Sequence, residues 1–325
     1  MKKILALVVF LLAWLLSPSQ AFANDTFEPK GPVKLIVPFP PGGGTDAAAR
    51  LLGEKLSVQW KQQVIIENRS GAQGNIGTAF VSKANGDGLT LLLAHQGVFT
   101  VNPFLYKDIG FDALKDFTAV ARVTQQPFVL VANPKMPFKT LKELETYSRS
   151  SPGKLSFGSS ASGPQLAVEM FKFETKSDLV HVAYKGAGPA VVDVLAGHID
   201  LMVANPASVA QHVQSGKLNA LVLFGKEAVQ VLPGAPTALA AGYPGLADIV
   251  EWYGIAVPAS TPQRIVEQLH HDINVALQDP SLQARLRELG LNPALTSQQT
   301  FAEQITRDHQ RWGQFITASG VKVEQ

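Results

Sequence analysis

The residues with the most evident chemical use in this chain are glycines and hydroxyls gathered in short loops. Pro40-Pro41-Gly42-Gly43-Gly44-Thr45-Asp46, Gly71-Ala72-Gln73-Gly74-Asn75-Ile76-Gly77, Ser159-Ser160-Ala161-Ser162-Gly163 and Lys185-Gly186-Ala187-Gly188 each follow an apolar run and precede a helical pattern. The first turn of a helix leaves backbone N–H groups unpaired, and its dipole places about half a positive charge there. Glycine lets a ligand approach that backbone closely. The hydroxyls of Thr45, Ser159, Ser160 and Ser162 add hydrogen bonds. The chemistry implied is binding of an anion, a carboxylate or a phosphate, without any need for lysine or arginine. Gly42 to Gly44 reads equally well as a tight turn with Thr45 capping the helix.

Other chemistries find little support. The absence of cysteine excludes disulfides, thiolate metal sites and cysteine nucleophiles. Gly71-x-x-Gly74-x-x-Gly77 lacks the G-x-G-x-x-G spacing of a dinucleotide loop, and neither G-K-[ST] nor a G-x-S-x-G elbow marks the glycine and serine loops. The histidines are scattered; His270 and His271 are adjacent on a helix and point about 100° apart, which suits no shared metal. His95 follows a strand in a loop position and is a candidate ligand contact, whereas His181 lies in a strand and reads as a core histidine. Lys185 beside Tyr184 is readable as a Schiff-base lysine, or more simply as a solvated one. No acid–base pair stands at a useful spacing. The residues point to binding without a reaction and call for no cofactor.

Strands and helices must hold these loops. Val33 to Val37 is a β-rich run before the first loop, and Ala47 to Trp60 carries Leu52, Leu56 and Trp60 at helical spacing. Val64 to Ile66 precedes the second loop and a helix ending near Lys83. Leu89 to Ala94 leads into His95-Gln96-Gly97. Leu155 to Gly158 leads into the serine loop and a helix opened by Pro164. Val180 to Tyr184 leads into a helix with Pro189 in its first position and Gly197 past its end. Ile199 to Ala204 and Leu218 to Phe224 are further strands. Near-continuous apolar strands alternating with helices predict an α/β fold with parallel sheets covered on both faces. In such sheets the loops at the carboxyl ends of the strands form the ligand crevice.

Phe117 to Asn133, with Pro127 amid extended-type residues, separates two groups of these units, and Trp252 to Val257 reads as a strand returning to the first sheet. This predicts two lobes joined by two crossings: residues 24–125 with 226–325, and residues 126–225. The C-terminal helices are assigned to the first lobe. One is opened by Pro262, one by Asp279-Pro280, and a third is striped by Phe301, Ile305, Trp312 and Phe315.

Hydrophobic residues make up 46% of the 325 and charged residues 17%, which excludes a disordered or coiled-coil chain. The chain carries 28 basic and 26 acidic residues; without Lys2 and Lys3 the count is 26 of each. That neutrality argues against a nucleic-acid partner. Lys2-Lys3, the apolar run Ile4 to Leu16 and Ala21-Phe22-Ala23 match an export leader, with cleavage after Ala23 and a mature start at Asn24. The apolar run is too short to span a bilayer, which takes roughly 20 residues. The expected product is outside the cytoplasm.

Two motifs then carry a resemblance. Pro38-Phe39-Pro40-Pro41-Gly42-Gly43-Gly44-Thr45-Asp46 is similar to the P-F-x-P-G-G-x-x-D loop of the tripartite tricarboxylate transporter receptors, the Bug family. Glu67-Asn68-Arg69-Ser70-Gly71-Ala72-Gln73-Gly74-Asn75-Ile76-Gly77 resembles that family's E-N-R-x-G-A-x-G-x-x-G. Asp87 to Leu92, Asp116-Phe117, Tyr184-Lys185-Gly186 and Asp193 to Gly197 extend the likeness, which runs from about Pro32 to Trp312. It implies a periplasmic receptor of the two-lobed type II binding-protein fold. A small carboxylated solute would be held in the cleft between hinged lobes, and integral membrane transporter subunits would be the partners of a monomeric receptor. The resemblance places the first carboxylate contacts on Phe39, Pro41, Gly42, Gly43, Thr45 and Asp46. It places the second-lobe contacts on Ser159, Ser160, Ser162, Gly163 and Tyr184. Gly74, His95 and Asn205 complete the candidate set. Two departures fall on the second lobe: Gly158 to Leu166 is shorter than the family's loop, with Gln165 where histidine is usual, and Ala204 stands where aspartate is common. A sensory receptor docking on a membrane kinase and an enzyme on the same scaffold, using Lys185 or His95, are the alternatives.

Overall fold

Val33–Val37 (β1) is buried at every position but Lys34. It pairs in parallel with Val64–Asn68 (β2) on one side and Thr90–His95 (β3) on the other. Gly44–Trp60 (α1) and Asn75–Ser82 (α2) each start directly from a glycine loop. Phe117–Gln126 (β4) and Glu251–Pro258 (β10) complete a sheet of order β2-β1-β3-β10-β4. A second sheet contains Phe128–Ala132 (β5), Leu155–Ser159 (β6), Leu179–Ala183 (β7), Leu201–Ala204 (β8) and Asn219–Phe224 (β9), in the order β7-β6-β8-β5-β9. The structure, a computed structural model, describes residues 28–321. The export leader and its cleavage site lie outside the described residues.

The expectation of wholly parallel sheets needs correction. β10 runs antiparallel to β3 and β4, and β5 runs antiparallel to β8 and β9. The reason is topological. A parallel neighbour requires a crossover that returns the chain to the same end of the sheet. β5 continues from β4 across Pro127, and β10 arrives from the other lobe, so each enters its sheet from the cleft end. This puts Gln126, the last residue of β4, and Glu251, the first of β10, side by side at the two crossings.

The remaining helices are Gln96–Thr100 (α3), Asn102–Leu105 (α4), Leu141–Ser150 (α5), Ser162–Thr175 (α6), Ala187–Ala196 (α7), Pro206–Gln214 (α8), Gln263–Leu277 (α9), Pro280–Glu288 (α10) and Gln298–Ser319 (α11). Local signals explain their ends. Thr140 and Glu143 form a capping box on α5, and Asp279 caps α10 ahead of Pro280. Pro164 and Pro189, expected to open their helices, are instead the third residues of α6 and α7. They still lie in the first turn, where a missing N–H breaks no helical bond.

In the first lobe α1, α9 and α10 cover one sheet face with Leu52, Leu56, Val266, Leu269, Ile273 and Leu286. The other face packs Ile36, Leu92, Val98 and Phe99 against Trp252 and Phe301. In the second lobe α5 and α6 cover one face, and α7 and α8 the other. The C-terminal helix α11 serves both: Phe301 and Ile305 pack on the first sheet, while Trp312, Phe315 and Ile316 pack in the second lobe's core. Residues 226–250, read from the sequence with the first lobe, place Val229, Leu232, Leu246 and Ile249 in the second lobe's cores. No helix of the described residues is long and apolar enough to cross a membrane.

Candidate functional site

The first glycine loop is held open by its own aspartate. Asp46 Oδ2 accepts the Gly42 N–H at 3.0 Å and Arg50 Nε at 2.9 Å, and its Oδ1 accepts Asn68 Nδ2 at 3.0 Å. Asn68 Nδ2 also donates to the Phe39 carbonyl at 3.0 Å, tying the end of β2 to the loop. Burial opposes the charge on Asp46, but hydrogen bonds from Arg50, Gly42 and Asn68 outweigh it and hold the carboxyl below its ordinary value. With Gly42 bonded to Asp46 and Ala47 to Gly43, the N–H groups of Gly43, Gly44, Thr45 and Asp46 have no partner among the described residues. They crown the 17-residue helix α1, where its dipole favours an anion.

The second loop is shaped by backbone constraints. Gly74 has φ +93°, and a Cβ there would stand 2.7 Å from Val98 and 3.2 Å from Phe39. Gly77 lies so close that a Cβ would meet the Arg69 carbonyl at 2.5 Å and Pro38 Cα at 2.9 Å. This is why the motif needs its glycines: they let the second loop lie flat against the first. Between them Ala72 and Gln73 adopt φ of 45° and 54°, an uncommon conformation for residues with a Cβ.

From β3, His95 stands beside Phe39, with ring centroids 4.8 Å apart, and beside Tyr253, at 5.4 Å. Its Nδ1 accepts the Gly97 N–H at 3.0 Å, and its Nε2 lies 3.2 Å from Glu251. Tyr253 in turn lies under the first loop, its hydroxyl 3.3 Å from the point a Gly44 Cβ would occupy.

The second lobe meets these loops with its own strand ends. Ser162 Oγ donates to Asn102 Oδ1 at 2.9 Å, and Asn102 Nδ2 donates to Asn75 Oδ1 and the Gln73 carbonyl. A Gly163 Cβ would stand 3.1 Å from Gln96 Oε1, another close approach across the lobes. Asn205 caps α8 through the Ala207 N–H and reaches Glu251 with its amide nitrogen at 3.3 Å. Between the lobes remains a cavity of about 40 Å³, lined by Gln73 and Tyr106 from one side and by Ser159, Ser160, His181 and Tyr184 from the other. That volume admits a few waters and no organic solute, so solute entry requires wider separation of the lobes. A larger cavity of about 570 Å³ lies at the crossings beside Pro127 and Gly225, and none of the glycine loops contributes to it.

Three residues play other parts than expected. The Tyr184 hydroxyl donates to Asp193 Oδ2 at 2.6 Å, and burial together with that carboxylate pushes its pKa up to about 12, although the residue still lines the cavity. Asp46 is spent on the loop itself and shapes the site from behind. His181, read as a core histidine, instead lines the cavity, with Nε2 2.8 Å from Ser159 Oγ. Burial, and to a lesser degree Lys172, lower its pKa to about 4, so it is neutral near pH 7. The unfolded chain takes up that proton from pH 6.5 downward while the folded state resists until about pH 4. Stability from this group is therefore full above pH 6.5 and falls as the pH drops toward 4, by about 2–3 kcal/mol in all. Urea unfolding between pH 7 and 4 should show this slope in the wild type, and His181→Gln should flatten it.

Against this geometry the comparisons with known proteins are decisive. The family description "Tripartite tricarboxylate transporter family receptor" matches residues 48–321. The chain belongs to that family. Protein BugT of Bordetella pertussis is 34% identical over 303 residues, covering 92% of each chain. Among solved structures, Rpa4515 of R. palustris with adipate is 31% identical with a TM-score of 0.82, over 90% of this chain and 99% of that one. MatC (Rpa3494) from Rhodopseudomonas palustris with bound malate is 30% identical with a TM-score of 0.79, over 89% and 99%. The two-lobed periplasmic-binding-protein fold is thereby shown.

Of the residues expected at the site of this tripartite tricarboxylate receptor, Phe39 stands against His95 and Gly74, while Ser159, Ser160, Ser162 and Tyr184 line the cavity between the lobes; Phe39, Gly42 to Asp46, Gly74 and His95 do not line it. The sequence reading missed Asn68, Gln96, Asn102, Glu251 and Tyr253. Asn68 was available within the E-N-R motif. Glu251 carried a signal too, as a lone carboxylate heading the apolar run Trp252 to Val257.

Proposed function

We propose that this protein is a periplasmic receptor that captures a small carboxylated solute between its lobes and presents it to the membrane subunits of a tripartite tricarboxylate-type transporter. The observation that carries this reading is the row of unpartnered N–H groups from Gly43 to Asp46 at the head of α1, in a loop whose shape is fixed by Asp46 and Asn68. Adipate in Rpa4515 and malate in MatC support the carboxylate class. The receptor is exported with its leader removed after Ala23, acts as a monomer, and closes on its solute by rotation about the crossings at Pro127 and Val250. It catalyses no reaction. His95 is locked between Gly97 and Glu251, and Lys185 is exposed beside the cleft, which argues against either as a reacting group.

The test is a thermal-shift screen of the mature chain against mono-, di- and tricarboxylates. A solute at about 100 times its Kd should stabilise the fold by roughly 2.7 kcal/mol. Thr45→Val keeps the side-chain shape of this buried residue and removes its hydroxyl beside the free N–H groups. It should weaken binding about tenfold, the worth of one hydrogen bond to a charged group. No shift with any carboxylate, in protein checked to be free of ligand, would overturn the reading.

A further inference from the structure

The cavity of about 570 Å³ at the crossings has walls from both lobes. Arg122 and Gln125 belong to β4 of the first lobe, and Lys226 and Asp248 to the 226–250 segment packed with the second. Between them runs α11, which presents Gln304, Arg307 and Arg311 to the cavity at helical spacing. The volume is that of a site for a small organic molecule.

Arg122 is half-buried there and has no carboxylate partner among the described residues. Its Nη1 donates to Gln125 Oε1 at 2.7 Å and to Gln304 Oε1 at 2.5 Å, and its Nε reaches the Ala294 carbonyl at 3.4 Å. These acceptors are neutral, and Nη2 has no partner among the described residues. A bulge in β4 produces the arrangement. Arg122 and Thr124 pair with the consecutive residues Gly254 and Tyr253, which leaves Val123 as the extra residue. A bulge re-aims the side chains beside it, so Arg122 and Gln125, three apart, meet on one side of the strand. Burial pushes the Arg122 pKa down, yet a guanidinium stays charged.

The other cations of the cavity are also short of close carboxylates. Arg311 donates to the backbone carbonyls of Asp248 and Gly245 at 2.8 and 3.0 Å. Arg307 has one ion pair among the described residues, with Glu303 of its own helix at 3.7 Å. The carboxylates of the lining are engaged elsewhere. Lys226 pairs with Asp248 at 2.6 Å, Trp252 Nε1 donates to Asp308 at 2.8 Å, and Glu227 is exposed to water. Three guanidiniums around one cavity therefore hold unused donors, and each matches an anion that offers paired oxygens.

We propose that this cavity is a second binding site, for a small multivalent anion such as a phosphate ester or a polycarboxylate, and that its occupancy holds the two lobes together. Arg122 grips the anion from the first lobe, while Arg311 is tied to the carbonyls of the second-lobe segment. An anion held by both favours the lobe separation at which both are in reach, which is the closed one seen here. By linkage, a solute that needs closed lobes then binds more tightly. The site itself stands apart from the carboxylate reading above; the holding of the lobes rests on that reading's hinge closure.

Isothermal titration of the mature chain with pyrophosphate and, separately, with citrate tests the site. At least one should bind, and the tighter of the two tells a phosphate from a carboxylate ligand. Arg122→Gln should weaken that binding by about tenfold or more, the effect of losing one charge-assisted pair. Arg307→Gln alters an exposed side chain whose one ion pair is the long contact to Glu303, so it keeps the test open if Arg122→Gln fails to fold. It should weaken binding several-fold. Thr45→Val, at the first glycine loop, should leave pyrophosphate binding unchanged. Small-angle X-ray scattering reads the lobes: pyrophosphate should lower the radius of gyration of the wild type and leave that of Arg122→Gln unchanged. Binding of neither probe, or binding that both arginine variants retain, would overturn the site and leave the carboxylate reading standing. An unchanged radius with pyrophosphate bound would overturn the holding of the lobes. Failure of the carboxylate reading shows separately, as a blank thermal-shift screen.

Discussion

Gly77→Ala is expected to destabilise the protein by about 3 kcal/mol and to abolish solute binding with it. A methyl group at this position has nowhere to go. It would stand 2.5 Å from the Arg69 carbonyl oxygen and 2.9 Å from Pro38 Cα, both backbone atoms, so no side-chain rotation relieves the clash. Either α2 must shift away from β1, opening the core around Ile36 and Val81, or the first loop must move at Pro38. The second outcome displaces Phe39 and the N–H groups beyond it. Urea unfolding reads the stability loss as a lower midpoint with an unchanged slope. Gly188→Ala is the control, since nothing lies within 4 Å of a Cβ there, and it should change the midpoint little. A wild-type midpoint for Gly77→Ala would show that the two loops do not need their close approach.

Asp46→Ala should weaken solute binding by about tenfold or more through loss of loop order, and should also lower the stability of the empty protein by about 2 kcal/mol. The two effects together distinguish a positioning role from direct contact. A residue that only touches solute would leave the empty protein unchanged. Asp46 is buried, and its carboxylate gathers Gly42, Arg50 and Asn68. Without it the Gly42 N–H and the Asn68 amide lose their acceptor, while Arg50, half exposed, returns to water. The pH dependence has a definite sign. The folded pKa is lowered from 3.8, so the stabilisation is present above that value and is lost as the pH falls through the folded pKa. Unfolding midpoints and titrations of Asp46→Ala and Asp46→Asn check this. An empty Asp46→Ala protein as stable as the wild type would return the residue to the role of a direct ligand.

Much of this architecture was legible along the chain because its signals are local. Val33 to Val37 is apolar at successive positions, Leu52 and Leu56 recur with helical spacing, and the glycine loop between them marks where strand gives way to helix. The unpaired N–H groups at the head of α1 come from helix geometry alone, so anion binding at Gly43 to Asp46 could be inferred before any contact was known. The two lobes were legible for a similar reason: Pro127 interrupts one long extended run, and Trp252 to Val257 resumes the pattern of the first sheet.

The tertiary structure decided what depended on partners distant in sequence. The antiparallel entry of β5 and β10 depends on which end of each sheet faces the cleft. The role of Asp46 depends on Asn68, and that of Tyr184 on Asp193, because a side chain's free valence is what its neighbours leave unused. His181 passed for a core residue because a strand histidine shows nothing in sequence of the Ser159 hydroxyl that meets it. Glu251 is the clearest case. Its partners come from residues 95, 126, 205 and 253, and only the folded chain brings them around one carboxylate. The sequence by itself determined the two α/β lobes and the glycine loops that head their helices, because helix ends and strand periods are properties of short segments. The surroundings of the buried carboxylate of Glu251 were decided by long-range packing, since the state of a buried charge is set by everything around it.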